Sequence, residues 1–197
     1  MPDFPSRPIV EHAALVFAAL FPIVNPIGGA PLFPVLTSDL THAERAALSR
    51  CVRIMTGGME EFQEGQFTDG LRDMAQLDAY CYHVAGVVGE MLCDLFCAHS
   101  SDIAKNRDKL AALAVSFGQG LQMTNILKDI WDDKARNVVW LPRSVFDAHG
   151  FDLGALGVKK NDPAFRAGLI ELTGIARGHL ENALGYTMVI HKSEHGM

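Results

Sequence analysis

Amide and carboxylate side chains recur about one helical turn apart in the segment QMTNILKDIWDD, residues 122–133. At about 100° per residue, four polar side chains share one helix face: Gln122, Asn125, Asp129 and Asp133. Mg2+ prefers oxygen ligands and bridges readily to phosphate oxygens. Like charges one turn apart repel, and a bound cation would reverse that cost. The pattern therefore predicts either a Mg2+ site at Asp129 and Asp133 or an acidic face turned to solvent.

The elements that must position these residues are predicted to be helices. Apolar residues recur at every third or fourth position in four segments, at residues 41–62, 73–99, 108–133 and 163–186. Thr41 and Glu44 have the form of a capping box, and Asp73 and Asp162 are typical N-cap residues. Residues 64–72 and 136–150 are expected to be loops, the second with a short turn or helix. Since no run of strand residues alternates in polarity, the predicted fold class is all-α.

Composition limits the partners and the compartment. Of 197 residues, 49% are hydrophobic, which is enough for a core, and the net charge of −6 argues against binding to nucleic acid. The spacing of the four cysteines fits neither a disulfide framework nor a zinc site: Cys51, Cys81, Cys93 and Cys97. A reducing compartment follows, and the expected location is the cytoplasm or the cytoplasmic side of a membrane.

The N-terminal 40 residues differ in character from the rest of the chain. Residues 12–38 contain no Asp, Glu, Lys or Arg, so their length permits a membrane span. Pro22, Pro26, Pro31 and Pro34 argue against one straight helix. The stretch LFPIVNPIGGAPLFPVLTSDLTHAER resembles the opening of the MarC family of membrane proteins. We therefore predict an apolar segment, residues 1–40, that contacts or enters a membrane or packs on a neighbour.

Three motifs in the remaining chain resemble the squalene/phytoene synthase family. Residues 122–133, with SFGQGLQ before them and VVWLPR after them, resemble the second aspartate-rich motif of that family. YCYHVAGVVG, residues 80–89, resembles its tyrosine-bearing motif, and GGMEEFQ, residues 57–63, resembles the preceding helix. The resemblance covers about residues 50–190 and is to the squalene-type bacterial branch. It implies a partial isoprenoid-synthase-type helical bundle within residues 41–197.

The resemblance also implies roles for individual residues. Asp129 and Asp133 would hold Mg2+, and Tyr80 would be a catalytic residue beside the reacting carbons. Seven residues would contact the prenyl diphosphate: Gln122, Asn125, Lys128, Val84, Ala85, Val88 and Gly89. Ordinary alternatives remain, namely a core tyrosine at Tyr80, close helix packing at the glycines and a surface charge at Lys128.

The implied reaction is the head-to-head condensation of two prenyl diphosphates of farnesyl type with Mg2+. The residues do not decide whether NADPH then reduces the product. The family's first aspartate-rich motif has no counterpart before residue 57, so the helical domain is expected to be incomplete and its activity weak or absent. The alternatives are a membrane-embedded protein of MarC type or a non-catalytic fusion fragment.

Overall fold

The computed structural model describes residues 38–64, 67–158 and 161–195. Within these ranges it contains eight α-helices: α1 His42–Glu64, α2 Met74–Cys81, α3 Val87–His99, α4 Ser101–Ala104, α5 Arg107–Lys128, α6 Ile130–Ala135, α7 Arg143–Ala148 and α8 Pro163–His195. A π-helical turn, Tyr82–Gly86, joins α2 to α3, and a 3-10 turn, Leu153–Ala155, precedes α8. The described residues contain no strand beyond one isolated bridge, Leu71 with Pro142. The all-α prediction is confirmed, while the predicted N-terminal segment lies outside the described residues except for 38–40.

The helix starts follow the capping signals in the sequence. The Thr41 N–H donates to the Glu44 carboxylate at 2.7 Å, and the Glu44 N–H donates to the Thr41 hydroxyl at 3.3 Å. Asp73 accepts from the Gln76 N–H at 2.9 Å at the start of α2. Asp162 accepts from the Ala164 N–H at 2.9 Å at the start of α8. Each cap satisfies a backbone donor that the first helical turn leaves free.

Helix α5 lies at the centre of the fold, with α8 on one side and α3 on the other, and α1 packs against α3. The largest apolar cluster joins α2, α5, α7 and α8, with members such as Leu77, Met123, Phe146 and Leu172. Polar contacts also link α5 to α8, since the Ser116 hydroxyl lies 3.1 Å from His179 Nδ1 and accepts from the Asn182 amide at 3.2 Å. Helix α5 is therefore held by both apolar and polar contacts with its neighbouring helices.

Two segments between the helices are tied together by backbone hydrogen bonds. The Val139 N–H donates to the Phe67 carbonyl at 2.7 Å, and the Leu71 N–H donates to the Leu141 carbonyl at 2.9 Å. The Arg143 N–H donates back to the Leu71 carbonyl at 2.8 Å. Residues 67–72 are the predicted loop, and these bonds fix it beside the segment that carries Trp140.

Three helices differ from their predicted extents. The second is interrupted by the π-helical turn, and the third is broken at Asp129, whose φ of −100° and ψ of 13° lie outside the helical region. Aspartate is a poor helix former because its short side chain competes for backbone groups. The last helix continues past the predicted end at 186 to His195. The predicted helix face, which was counted at about 100° per residue along one continuous helix, therefore does not extend past Asp129.

Among the described residues, one helical stretch is long and apolar enough to cross a bilayer, at Met74–His99. The length and composition of a core helix satisfy the same criterion. This stretch packs against α5 and α1 and includes the buried residues Leu77, Val87 and Met91. One third of its most apolar 18-residue window is buried in the bundle, so packing accounts for part of its apolar character.

Candidate active site

Tyr80 lies at the end of α2 within a group of aromatic rings. Its ring stacks on Trp140, with ring centroids 4.1 Å apart and planes 12° apart, and meets the edge of Phe62 at 5.2 Å. The residue is 7% exposed, and the Gln122 side chain lies near enough to its hydroxyl to favour a lower pKa. Burial raises the pKa of Tyr80 to about 12, so the phenol is protonated at neutral pH. The tyrosine is held in one position by contacts with a ring on each of two sides and an amide.

Asp133 lies close enough to Tyr80 for its charge to raise the tyrosine pKa further. The Asp133 side chain is 19% exposed and borders a closely packed apolar gap, without room for a water molecule, that is formed by Ile126, Ile130, Val139, Trp140 and Leu141. Burial raises the pKa of Asp133, the Arg136 guanidinium opposes this, and the charges of Asp129 and Asp132 raise it further. A carboxylate held in this environment is under electrostatic stress that a cation would relieve.

Asp129 lies one turn before Asp133, at the break between α5 and α6. The Asp129 N–H donates to the Asn125 carbonyl, and the Asp133 N–H donates to the Asp129 carbonyl, each at 2.9 Å. The Asp129 side chain is 40% exposed and lies 3.5 Å from the Lys128 ammonium. These backbone bonds keep the two carboxylates about one turn apart in spite of the break.

Oxygen donors of this kind fit Mg2+, which takes carboxylates from the protein and keeps water or phosphate oxygens on its other positions. The raised pKa of Asp133 comes mainly from burial and then from the neighbouring carboxylates Asp129 and Asp132, and a cation placed beside them would favour the charged form. No group of three or more His, Cys, Asp and Glu side chains gathers in the described part of the chain. Asp129 and Asp133 thus form a pair of possible carboxylate ligands, and further oxygen ligands would have to come from the bound molecule or from solvent.

The remaining residues of the predicted substrate face differ in exposure. Gln122 is half-buried and contacts Tyr80, whereas Asn125 and Lys128 are exposed at the end of α5. Val84 and Val88 are half-buried and pack against two different apolar clusters. The structure therefore brings Gln122, Tyr80 and Asp133 together, with Asn125 and Lys128 farther toward solvent.

Small residues on the π-helical turn and on α3 serve a close helix crossing. A Cβ atom at Gly118 would lie 2.1 Å from the Ala85 carbonyl oxygen, and one at Gly89 would lie 1.9 Å from the Ala114 carbonyl oxygen. Both contacts are far inside van der Waals distance, so only glycine fits there. Gly89 packs against α5, as the alternative of close helix packing expects, and its contact with a substrate chain stays a prediction. Ala85 contacts Gly118 through its backbone and is itself half-buried.

A family model described as squalene/phytoene synthase matches residues 26–194. The chain belongs to the squalene/phytoene synthase family. The match starts inside the segment compared above with MarC proteins and contains the site. The MarC resemblance itself gains no support from it and stays a prediction.

Relatives of the chain carry names from both branches of this family. It is 38% identical over 119 residues to a phytoene synthase of Thermus thermophilus, covering 58% of this chain and 38% of that protein. It is 35% identical over 148 residues to a squalene synthase of Gibberella zeae, covering 73% of this chain and 28% of that protein. The chain thus spans well under half the length of these curated relatives.

Solved structures agree on the fold. A ligand complex of the squalene synthase TcSQS superposes with a TM-score of 0.68 at 23% identity, covering 93% of this chain and 57% of that chain. A dehydrosqualene synthase in complex with ligand gives a TM-score of 0.62 at 20% identity, covering 91% of this chain and 66% of that chain. The helical arrangement is that of squalene/phytoene synthases.

Sequence reasoning missed two aromatic residues of the candidate site. Trp140 stacks on Tyr80, and Phe67 lies 5.6 Å from Trp140 and 5.9 Å from Phe62 between ring centroids. A signal for Trp140 was present, since it belongs to the VVWLPR stretch that adjoins the aspartate motif. Phe67 had no such signal, because a hydrogen-bonded loop brings it to the site.

Proposed function

We propose that this chain binds a prenyl diphosphate beside Tyr80 and Asp133 and contributes one side of a head-to-head condensation site. The observation that carries the proposal is the meeting of Tyr80, Gln122 and Asp133 beside apolar walls. The family membership supports this chemistry. A substrate with a charged head and a long apolar tail, such as farnesyl diphosphate, matches a site that joins carboxylates to aromatic rings.

Each residue has a distinct task in this proposal. Asp129 and Asp133 would hold Mg2+, which when bound neutralises charge on the diphosphate leaving group. The Tyr80 ring, kept in place by Trp140 and Gln122, would face the allylic carbons and stabilise positive charge developing there. Lys128 would attract the diphosphate from the solvent side. In the condensation, one diphosphate leaves, a carbon–carbon bond forms, and a proton is lost as a cyclopropane closes.

Binding and turnover are separate parts of the proposal. The second aspartate-rich motif supplies one set of carboxylates, and no matching acidic pair precedes residue 57. Ionisation depends on charges placed all around the developing transition state. We therefore propose that the chain by itself binds substrate with Mg2+ and condenses it slowly or not at all.

The first experiment measures binding. Quenching of Trp140 and Trp131 fluorescence by farnesyl diphosphate, with and without Mg2+, should show binding that Mg2+ strengthens. Asp129→Asn and Asp133→Asn should each weaken the Mg2+-dependent binding at least about tenfold, or ~1.4 kcal/mol. The matched control is Asp132→Asn, which removes the same charge from an exposed neighbour and should leave binding within about twofold.

The second experiment measures turnover. Radiolabelled farnesyl diphosphate is incubated with the chain and Mg2+, with and without NADPH, and apolar products are extracted. Little or no product is expected, together with intact binding. Binding that does not change when Mg2+ is omitted or when either aspartate is replaced would contradict the proposed site. Fast product formation would contradict the proposal that this chain supplies only one side of the condensation site.

A further inference from the structure

Two cysteines lie one helical turn apart on α3, in a different apolar cluster from Tyr80. Cys93 is buried, Cys97 is half-buried, and both thiols are free. The ring of Tyr186 on α8 belongs to the same cluster. Burial raises the pKa of Cys93 to about 11 with the help of the Cys97 thiol, which lies beside it. The fold thus gathers two thiols and a phenol inside the bundle.

The Tyr186 hydroxyl is a buried polar group without a partner. Tyr186 is 2% exposed, and its hydroxyl makes no hydrogen bond to any of the described residues. It lies near enough to Cys93, Cys97 and Asp94 for their charges to raise its pKa, after the larger effect of burial. An unpaired buried hydroxyl destabilises the folded state. A negatively charged sulfur beside it would accept the missing hydrogen bond.

The spacing of the two thiols favours a bridging ion over a disulfide bond. Residues four apart on a helix have Cβ atoms about 5–6 Å apart, whereas a disulfide needs about 3.5–4.5 Å. A direct bond between the sulfurs would therefore distort α3. Metal–thiolate bonds are about 2.3 Å long, so an ion between the sulfurs spans up to about 4.6 Å and fits an undistorted turn.

The number and type of ligands select the class of ion. Thiolates are soft ligands that prefer ions such as Cu+ and Zn2+. A structural Zn2+ takes four ligands, and the structure shows no cluster of three or more His, Cys, Asp and Glu side chains within the ranges that it describes. Cu+ is satisfied by two thiolates on opposite sides. The cysteine pair therefore fits Cu+ and leaves Zn2+ without enough ligands.

The charges around the pair suit two thiolates that share a Cu+ ion. Such a unit carries one negative charge, because two thiolates and one Cu+ sum to minus one. Arg50 and Arg107 both bind Asp94, the second at 2.7 Å, so these three side chains have one positive charge left over. Arg107 lies near enough to both cysteines for their charges to raise its pKa, after the larger effect of Asp94. The surplus positive charge is therefore placed beside the unit that it would neutralise.

We propose that Cys93 and Cys97 bind one Cu+ ion as a two-thiolate site, with the Tyr186 hydroxyl donating a hydrogen bond to a thiolate sulfur. Binding releases the two thiol protons to solvent and changes no oxidation state. Arg107 offsets the remaining negative charge. The inference does not rest on the proposed function, because the site shares no residue with the candidate active site.

Titration of the full chain with the Cu+ complex of bicinchoninate, a coloured chelator, tests the site under anaerobic and reducing conditions. The wild type should take one Cu+ per chain from the chelator. Cys93→Ala and Cys97→Ser should each lose this uptake. The matched control is Cys51→Ala, which makes the same change at another buried cysteine and should keep the uptake. Circular dichroism shows whether each variant is folded, and Cys97→Ser carries the test if Cys93→Ala is not, since Cys97 is only half-buried.

Tyr186→Phe separates copper binding from folding. The hydroxyl has no partner in the chain without copper, so its removal should leave the Tm unchanged or raise it. The same change should weaken Cu+ binding about tenfold, because a hydrogen bond to a metal ligand is lost.

Three outcomes would overturn the proposal. A wild type that takes no Cu+ from the chelator would exclude the site. Uptake by Cys97→Ser equal to that of the wild type would show that the pair does not act together. Uptake reduced as much in Cys51→Ala as in the two site variants would show nonspecific binding to any thiol.

Discussion

At the scale of single residues, the site combines a tyrosine ring held in place by its neighbours with a carboxylate whose charged form is disfavoured by its surroundings. Tyr80 is fixed by stacking on Trp140 and by the edge contact with Phe62, so little rotation remains to its ring. Asp133 is held among apolar neighbours and other carboxylates, which raises its pKa. A group kept in an unfavourable state by its surroundings is typical of binding and catalytic sites rather than of structural ones.

Replacing Tyr80 by Phe separates the roles of the ring and the hydroxyl. The ring contacts with Trp140 and Phe62 remain, and only the buried hydroxyl near Gln122 is lost. The expected loss in the free energy of unfolding is about 1 kcal/mol, measured by urea denaturation. Trp140→Ala is the comparison, since it removes a whole stacked ring and should cost about 3 kcal/mol or more. Equal losses of stability in Tyr80→Phe and Trp140→Ala would contradict the expectation that ring stacking contributes more to stability than the hydroxyl does.

Asp133→Asn should stabilise the protein at neutral pH. Its raised pKa means that folding favours the protonated carboxyl, so the stability it contributes is present at low pH and lost as pH rises through the folded-state pKa. Removing the charge should raise the free energy of unfolding at pH 7 by a few tenths of a kcal/mol, because burial disfavours the charged carboxylate and Asp129 repels it from one turn away. The gain should shrink as pH falls toward 4, the ordinary range of aspartate.

The same variant is expected to lose Mg2+-dependent diphosphate binding, so stability and binding should change in opposite directions. Asp132→Asn serves again as the control, because the Asp132 side chain is exposed and does not border the apolar gap beside Asp133. A stability gain for Asp133→Asn that is constant across pH would show that charge at this position is not its cause.

At the scale of elements, close contact between helices sets the shape of the site. The π-helical turn directly follows Tyr80 and Cys81 and crosses α5 where Gly118 meets the Ala85 carbonyl. An extra residue in one helical turn rotates everything after it relative to Tyr80, and such turns are common at functional sites. The crossing positions the tyrosine helix against the aspartate helix.

Alanine substitutions at glycines measure this crossing. Gly89→Ala would place a methyl group 1.9 Å from the Ala114 carbonyl oxygen, which forces α3 and α5 apart. The expected loss in the free energy of unfolding is about 2 kcal/mol or more, read from the midpoint of chemical denaturation by circular dichroism.

The matched control for this substitution is Gly57→Ala on α1. A Cβ atom there would meet nothing within 4 Å, so it should stabilise the helix by about 0.5–1 kcal/mol. A loss of stability for Gly89→Ala together with a gain for Gly57→Ala would support the close crossing of α3 and α5. A neutral Gly89→Ala would show that the helices separate freely.

At the scale of the whole molecule, the described helices are held by three apolar clusters, and the cysteines lie within or beside them. Cys51, Cys81 and Cys93 are buried, and Cys97 is half-buried. Burial raises the pKa of Cys51 to about 11 and that of Cys81 to about 12. These thiols remain protonated at neutral pH and are poor nucleophiles.

Thiol labelling reports on the integrity of this core. In the folded protein at pH 7.5, an aromatic disulfide reagent should react within minutes with Cys97 alone, and with all four cysteines in denaturant. Cys97→Ser should remove the fast phase and leave the slow labelling of the other three. Rapid labelling of Cys51 or Cys81 without denaturant would mean that their clusters open easily.

The sequence by itself determined the all-α class, the caps and the family resemblance, because apolar periodicity, capping residues and short motifs are local signals. It also placed Gln122 and Tyr80 on the correct helices, whereas the break at Asp129 puts Asp133 on a separate short helix. The tertiary structure decided which of them meet: a loop hydrogen-bonded to residues 139–143 brings Trp140 and Phe67 to Tyr80. It also assigned Gly89 to packing, since the approach of two backbones depends on how distant helices cross. Contacts between residues far apart in the chain arise from packing geometry, which no local pattern encodes.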